Sequence, residues 1–186
     1  SADSNLGVSG GVITLNGGAL AATASMSTAR NMTLGGSGGT LQVSAGSALT
    51  LNGTIFGTGP LALTGVGTVS LLNTISLSEQ ISVAANVGLI VGSQVTTTVL
   101  NVSQGASLRG SGTIVGDVTN AGQIAPGNSP GPLTVVGDVT LTDTSVINAE
   151  IDGITYSASG GAGSYDRIVV QGANAVFTAA GSVNPV

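Results

Sequence analysis

The sequence predicts an all-β protein built as a single-stranded parallel β-helix, a solenoid with about 20 residues in each coil. Three observations predict this fold class. Pairs of aliphatic residues recur at a nearly fixed interval, turn-forming residues separate the pairs, and the composition is poor in both aromatic and charged residues.

Each recurring pair consists of two aliphatic residues two positions apart, a spacing that puts both side chains on one face of a strand. The first members of one series are separated by 20, 20 and 19 residues, and those of a second series by 20 and 20. The first series is Leu41/Val43, Leu61/Leu63, Ile81/Val83 and Leu100/Val102, and the second is Leu49/Leu51, Val69/Leu71 and Leu89/Val91. The predicted interior ladder consists of Leu41, Leu61, Ile81 and Leu100.

Residues between the pairs are mainly Gly, Ser, Asn and Thr, which form turns. A propeller blade needs about 40 residues, twice the observed interval. A hairpin meander does not require like residues to recur one full interval later, and a β-sandwich is the alternative that strand alternation alone leaves open. A regular repeat gives about nine coils and a rod of roughly 40 to 45 Å.

The composition suits a narrow aliphatic interior. The chain has 31 glycines, two Tyr, two Phe and no Trp, and only 6% of its residues are charged. Three arginines, no lysine and a net charge of −5 argue against a nucleic-acid partner, because phosphate binding needs a basic face. His and Cys are absent, which excludes Ser/His/Asp triads, Cys/His pairs and His-based metal sites. We predict a non-enzymatic protein without a cofactor.

Carboxylates are the one open route to chemistry. The alternation places Glu150 and Asp152 on one outward strand face, with Asp138 and Asp143 nearby in sequence. Two acids at a defined separation could hydrolyse a glycosidic bond, so the alternative function is a carbohydrate-active β-helix enzyme that uses carboxylates between residues 138 and 166. Calcium binding by the same oxygen ligands is a second alternative, and a solvated acidic face is the prediction we favour.

No apolar run reaches the roughly 18 to 20 residues that a membrane helix needs. Residues 1–10 contain no initiator Met and no signal-peptide pattern. The expectation is that the chain is an excised or processed fragment of a longer protein.

Three segments resemble a known family. Residues 38–72 are similar to the autotransporter-associated β-strand repeat, with GGTL, LTLNG, IFGTGPL and GVGTVSL in the expected order. Residues 108–141 resemble the region near the C-terminal end of many autotransporter passengers, whose most specific word, APGNSPG, occupies Ala125–Gly131. Residues 164–172 (SYDRIVVQG) resemble the tyrosine-aspartate strand that usually follows.

The resemblance implies a right-handed β-helix from the C-terminal part of a bacterial autotransporter (type V secretion) passenger domain. Residues 1–106 would form repetitive coils, and residues 107–186 a C-terminal, autochaperone-like cap. The passenger's own outer-membrane β-barrel, which would be its export partner, would lie outside this stretch. The implied role is a non-enzymatic stalk and folding nucleus at the bacterial cell surface or in secreted form. The resemblance also implies adhesin or virulence functions, with host surface or matrix molecules or other bacterial cells as partners.

The candidate folding and capping residues come from the two most specific words. Two prolines that flank a Gly-Asn-Ser turn would preset a rigid bend at a corner. We also predict that the tyrosine of the second word packs over the end of the stack. The candidate residues are Ala125, Pro126, Gly127, Asn128, Ser129, Pro130, Gly131, Tyr165 and Asp166.

Overall fold

The computed structural model describes residues 3–8, 10–127, 130–158 and 160–186. The only helical segment in these ranges is a 3₁₀ turn at Asp3–Leu6. The strands are β1 (Ile13–Leu15), β2 (Gly18–Ala22), β3 (Met26–Thr28), β4 (Met32–Leu34), β5 (Gly39–Val43), β6 (Ala48–Leu51), β7 (Ile55–Gly57), β8 (Leu61–Gly65), β9 (Thr68–Leu71), β10 (Ile75–Leu77), β11 (Ile81–Val83), β12 (Gly88–Val91), β13 (Gln94–Val102), β14 (Ser107–Gly110), β15 (Thr113–Asn120), β16 (Gln123–Pro126), β17 (Pro132–Val136), β18 (Val139–Leu141), β19 (Val146–Ala149), β20 (Arg167–Gln171), β21 (Phe177–Thr178) and β22 (Ser182–Pro185).

The strands form three parallel stacks, and each coil contributes to all three. Stack 1 runs from β1 through β4, β7 and β10 to β20, stack 2 runs from β2 through β5, β8 and β11 to β21, and stack 3 runs from β3 to β22. The long strands β13 and β15 each span the corner between stacks 1 and 2, so these two stacks merge into one 14-stranded sheet. Stack 3 is a separate sheet of eight strands. The predicted parallel β-solenoid is confirmed.

Aliphatic ladders fill the interior. In stack 3, Leu49, Val69 and Leu89 lie directly over one another at the predicted spacing, and each is at most 1% exposed. The buried core of the described residues contains no aromatic ring. Because hydrophobic burial scales with the apolar area removed from water, stacking the coils is the main source of stability.

One predicted ladder is wrong by two residues. Leu61, Ile81 and Leu100 are aligned in stack 2, but Leu41 pairs with Leu63, and Leu61 pairs with Gly39. The corner after β5 is two residues longer than the corner after β8. Since other arcs of the two coils have different lengths as well, the count of 20 residues persists while the register shifts.

The short corner after β8 depends on a glycine. Gly65 has φ +99, and a Cβ at this position would lie 2.1 Å from the carbonyl oxygen of Val43 in the preceding coil. Only a residue without a side chain can adopt this backbone conformation so close to its neighbour.

The solenoid has about seven turns, and its stacks are eight strands deep, one fewer than the nine coils predicted. Val135 and Val170 are register partners although they are 35 residues apart, so one long connection uses residues that would otherwise form another coil. Seven steps of about 4.8 Å give a stack about 34 Å high.

The N-terminal coil is covered by the segment that precedes it. The guanidinium of Arg30 is 5% exposed, and its Nε lies 2.9 Å from Oδ1 of Asp3. The same guanidinium donates to the carbonyl oxygens of Gly7 and Val8. A hydrogen bond with the Thr28 side chain, together with Arg30, holds the pKa of Asp3 below its ordinary value. Within the described ranges, no helix has the length and apolar character that a membrane crossing requires.

Candidate functional site at the C-terminal end

Two long connections distinguish the last coils from the rest. From coil to coil, the interval between the first inward residues of stack 3 and stack 1 is six residues, as between Leu49 and Ile55. The connections from β16 to β17 and from β19 to β20 are longer. They lie side by side because both leave the same corner on successive coils.

The first connection contains the APGNSPG word. Ala125 and Pro126 end strand β16, and Pro126 and Pro130 are buried. Gly127 has φ +83 and forms an isolated bridge with Gly110 of the preceding coil. Asn128 and Ser129, which belong to the predicted motif, lie outside the described residues.

Asp166 links the two connections. Its Oδ1 accepts a hydrogen bond of 2.7 Å from the backbone N–H of Gly131, and its Oδ2 accepts one of 3.0 Å from the N–H of Glu150. Backbone hydrogen bonds flank this contact, from Arg167 N to Gly131 O at 3.1 Å and from Asp166 N to Glu150 O at 2.8 Å. The structure therefore joins two residues of the predicted motif, Gly131 and Asp166, that are 35 positions apart in the sequence.

The second connection folds back on the first. The N–H of Gly161 donates to the carbonyl oxygen of Pro130 at 2.9 Å. At Gly160 a Cβ would lie 2.0 Å from the same oxygen, and φ is +84, so this close approach requires glycine. The glycine-rich run that begins here therefore contacts the proline bend.

Arg167 organises two aromatic rings, a feature that the sequence did not predict. Its guanidinium lies 4.4 Å from the ring centroid of Tyr156 and 5.6 Å from that of Tyr165, and it donates to the carbonyl oxygen of Ser157. Tyr165 also forms an isolated antiparallel bridge with Ile151. Cation–π contacts at such exposed sites contribute about 0.5 to 1 kcal/mol each. The adjacent Tyr, Asp and Arg in SYDRIVVQG were the only sequence signal for this cluster.

An apolar depression of about 450 Å³ opens at the last coil. Its walls are aliphatic side chains of the last coils, with Asp166 and Arg167 at its edge. The apolar lining residues are Pro126, Ile147, Ala149, Ile168, Val170, Phe177 and Val183.

The candidate carboxylates do not share a strand face. Strand β19 ends at Ala149, so Glu150 and Asp152 lie in the connection, which corrects their predicted placement. Asp152 accepts a hydrogen bond from the N–H of Gly163 at 2.7 Å. On another corner Asp138 accepts one from the N–H of Val176 at 2.8 Å. These acids are thus occupied by backbone donors, and the described residues contain no group of three or more acids arranged to hold a metal ion.

Fold and site together define a β-solenoid whose last coils are tied by side-chain and loop contacts. No protein-family model, curated protein sequence or solved structure matches the chain at a significant level. The likeness to autotransporter passengers therefore stays a prediction from the sequence.

Proposed function

We propose that the chain is a non-enzymatic, surface-exposed segment of a bacterial autotransporter passenger that acts as a β-helical stalk. Its C-terminal coils serve as the folding nucleus during export. The observation that carries the proposal is the Asp166 contact, which ties the last two long connections together, whereas earlier coils are held mainly by ladder contacts. Resemblance of the same segments to passenger sequences supports it.

Folding from this end has a physical reason. In a solenoid each coil contacts only its neighbours, so the first coils to form must order the chain before stacking rewards them. Hydrogen bonds of Asp166 and contacts of Arg167 lower that cost for the last coils. Each later coil then adds an aliphatic rung to an existing edge, and this release of free energy draws the chain outward through its outer-membrane β-barrel.

The stalk role fits the outer surface. Outward positions carry mainly Ser, Thr, Asn and Gly, and charged residues are 6% of the chain. Such a surface keeps the rod soluble without strong electrostatic attraction to other molecules. Adhesion to host surface or matrix molecules or to other bacterial cells, and a contribution to virulence, belong to this proposal.

The test compares two deletions of equal length in a surface-display assay. The chain is placed between an N-terminal epitope and an outer-membrane translocator, and residues 107–186 or residues 1–80 are removed. We expect removal of residues 107–186 to reduce the protease-accessible epitope at the cell surface much more than removal of residues 1–80. Equal display of the two deletions, or a larger loss without residues 1–80, would contradict the folding-nucleus role.

A further inference from the structure

A groove crosses the outer face of stack 3 and has no role in the fold. Three depressions of about 320, 230 and 200 Å³ adjoin one another, and all three are lined by Ile90. Arg109 lines the two larger ones. The pairing register explains them: Ile90 and Arg109 are neighbours on adjacent strands, and the small residues Gly88 and Ala125 next to them leave the surface low.

Arg109 is the one arginine that the described structure leaves without a partner. Arg30 is paired with Asp3, and Arg167 contacts Tyr156 and Tyr165. Arg109 is exposed and makes neither a hydrogen bond nor an ion pair with any described residue. Its planar guanidinium is therefore available for a bidentate contact with a carboxylate.

The surroundings of Arg109 narrow the class of ligand. Backbone donors and acceptors in the middle of stack 3 are used by the neighbouring strands, so a peptide cannot add as a further strand on this face. Polar contacts must come from side chains, such as the Asn148 amide and the Thr68 and Ser107 hydroxyls, which suit a ligand rich in hydroxyl groups.

Charge limits the ligand further. The chain carries a net charge of −5, and the carboxylates of Glu150 and Asp166 line the C-terminal end of the groove. A densely charged polyanion would be repelled by both, while a carboxylate at Arg109 flanked by neutral groups would not. Because the three depressions lie on successive coils, the ligand must also be elongated along the rod.

We propose that this groove binds an unsulfated acidic oligosaccharide, with one uronate carboxylate on Arg109 and neighbouring sugar rings in the flanking depressions. Ile90 provides the apolar contact for a ring, and the polar side chains provide hydrogen bonds to its hydroxyls. The proposal does not depend on the export route, since it concerns one face of the folded solenoid.

The test is calorimetric titration of the full chain with an octasaccharide of alternating glucuronate and N-acetylglucosamine. We expect a Kd below about 1 mM for the wild type and a loss of at least about tenfold in R109Q, because a hydrogen-bonded charge contact is removed. R109K keeps the charge but not the planar fork, and it should bind between the two. The matched control is Q42E, which changes the net charge by the same amount at an exposed position on stack 2.

Four outcomes would overturn the proposal. The wild type binds no octasaccharide at millimolar concentration, R109Q binds as tightly as wild type, or Q42E weakens binding as much as R109Q. The fourth is that the carboxyl-reduced octasaccharide binds equally well, or that an octapeptide with a single glutamate binds while the sugar does not. Retention of the far-ultraviolet strand signal in R109Q excludes misfolding as the cause of a loss, and I90A, which removes the apolar contact alone, should weaken binding while leaving Arg109 in place.

Discussion

Removing the Asp166 carboxylate should loosen the last coils specifically. Asp166 accepts hydrogen bonds from the N–H groups of Gly131 and Glu150 at 2.7 and 3.0 Å. Hydrogen bonds to a charged group contribute about 1.5 to 3 kcal/mol each when buried, and Asp166 is only half-buried, so D166A should cost about 2 kcal/mol in local stability. D166N keeps one acceptor oxygen and should cost about half as much.

Amide hydrogen exchange measures this loss where it occurs. The informative amides belong to Gly161 and Arg167, because their own acceptors, the carbonyl oxygens of Pro130 and Gly131, are unchanged in the Asp166 variants. A loss of about 2 kcal/mol corresponds to roughly 30-fold faster exchange at both amides. Amides of the early coils should keep their rates, since coils interact through nearest neighbours.

D143N is the matched control. Asp143 is exposed at another corner and makes no hydrogen bond with the described residues, so its replacement should change stability by less than about 0.5 kcal/mol. If D166A and D143N give the same exchange rates at Gly161 and Arg167, the carboxylate does not hold the two connections together, and the basis for a C-terminal folding nucleus is lost.

Three other perturbations probe the rest of the solenoid. I81A removes a fully buried ladder residue and should cost about 2 to 5 kcal/mol in urea denaturation, whereas S82A on the outward face of the same strand should change stability by less than about 0.5 kcal/mol. G65A should cost at least about 2 kcal/mol from its positive φ and its contact with the preceding coil, and G36A, where a Cβ meets nothing, is the control; equal effects would refute the corner argument. Because the folded pKa of Asp3 is depressed, its contribution to anchoring the N-terminal segment is present above about pH 4 and is lost as the pH falls through that lowered pKa, so NMR shifts of residues 3–8 should titrate there and D3N should abolish that step.

The sequence predicts the parallel solenoid because two aliphatic series share one interval. It predicts the stack 3 ladder from Leu49 to Leu89 correctly, since the coils concerned have equal arcs between these positions. It misplaces Leu41 over Leu61, because spacing reports the length of a whole coil and not how the coil divides among its corners. Corner lengths depend on loop conformation, which alternation of side chains does not encode.

The candidate site is predictable only in part. Two words of the sequence point to Gly131 and Asp166, but nothing in either word gives the hydrogen bond between them, because the contact depends on both loops leaving one corner on successive coils. The predicted shared face of Glu150 and Asp152 fails because the strand ends at Ala149, where the chain leaves the ladder. Arg109 attracts attention only once the pairing register shows its small neighbours.

The merging of stacks 1 and 2 has a mechanical consequence. Strands β13 and β15 pass through a corner without interruption and pair with each other along both halves, from Gln94 and Thr113 to Val102 and Asn120. Under a pulling force, the short early strands offer few hydrogen bonds per coil and should peel away singly, whereas this double-length pair has to shear as one unit. A stretched rod would therefore lengthen in small steps up to this pair and then hold, which makes the middle of the molecule its mechanical stop.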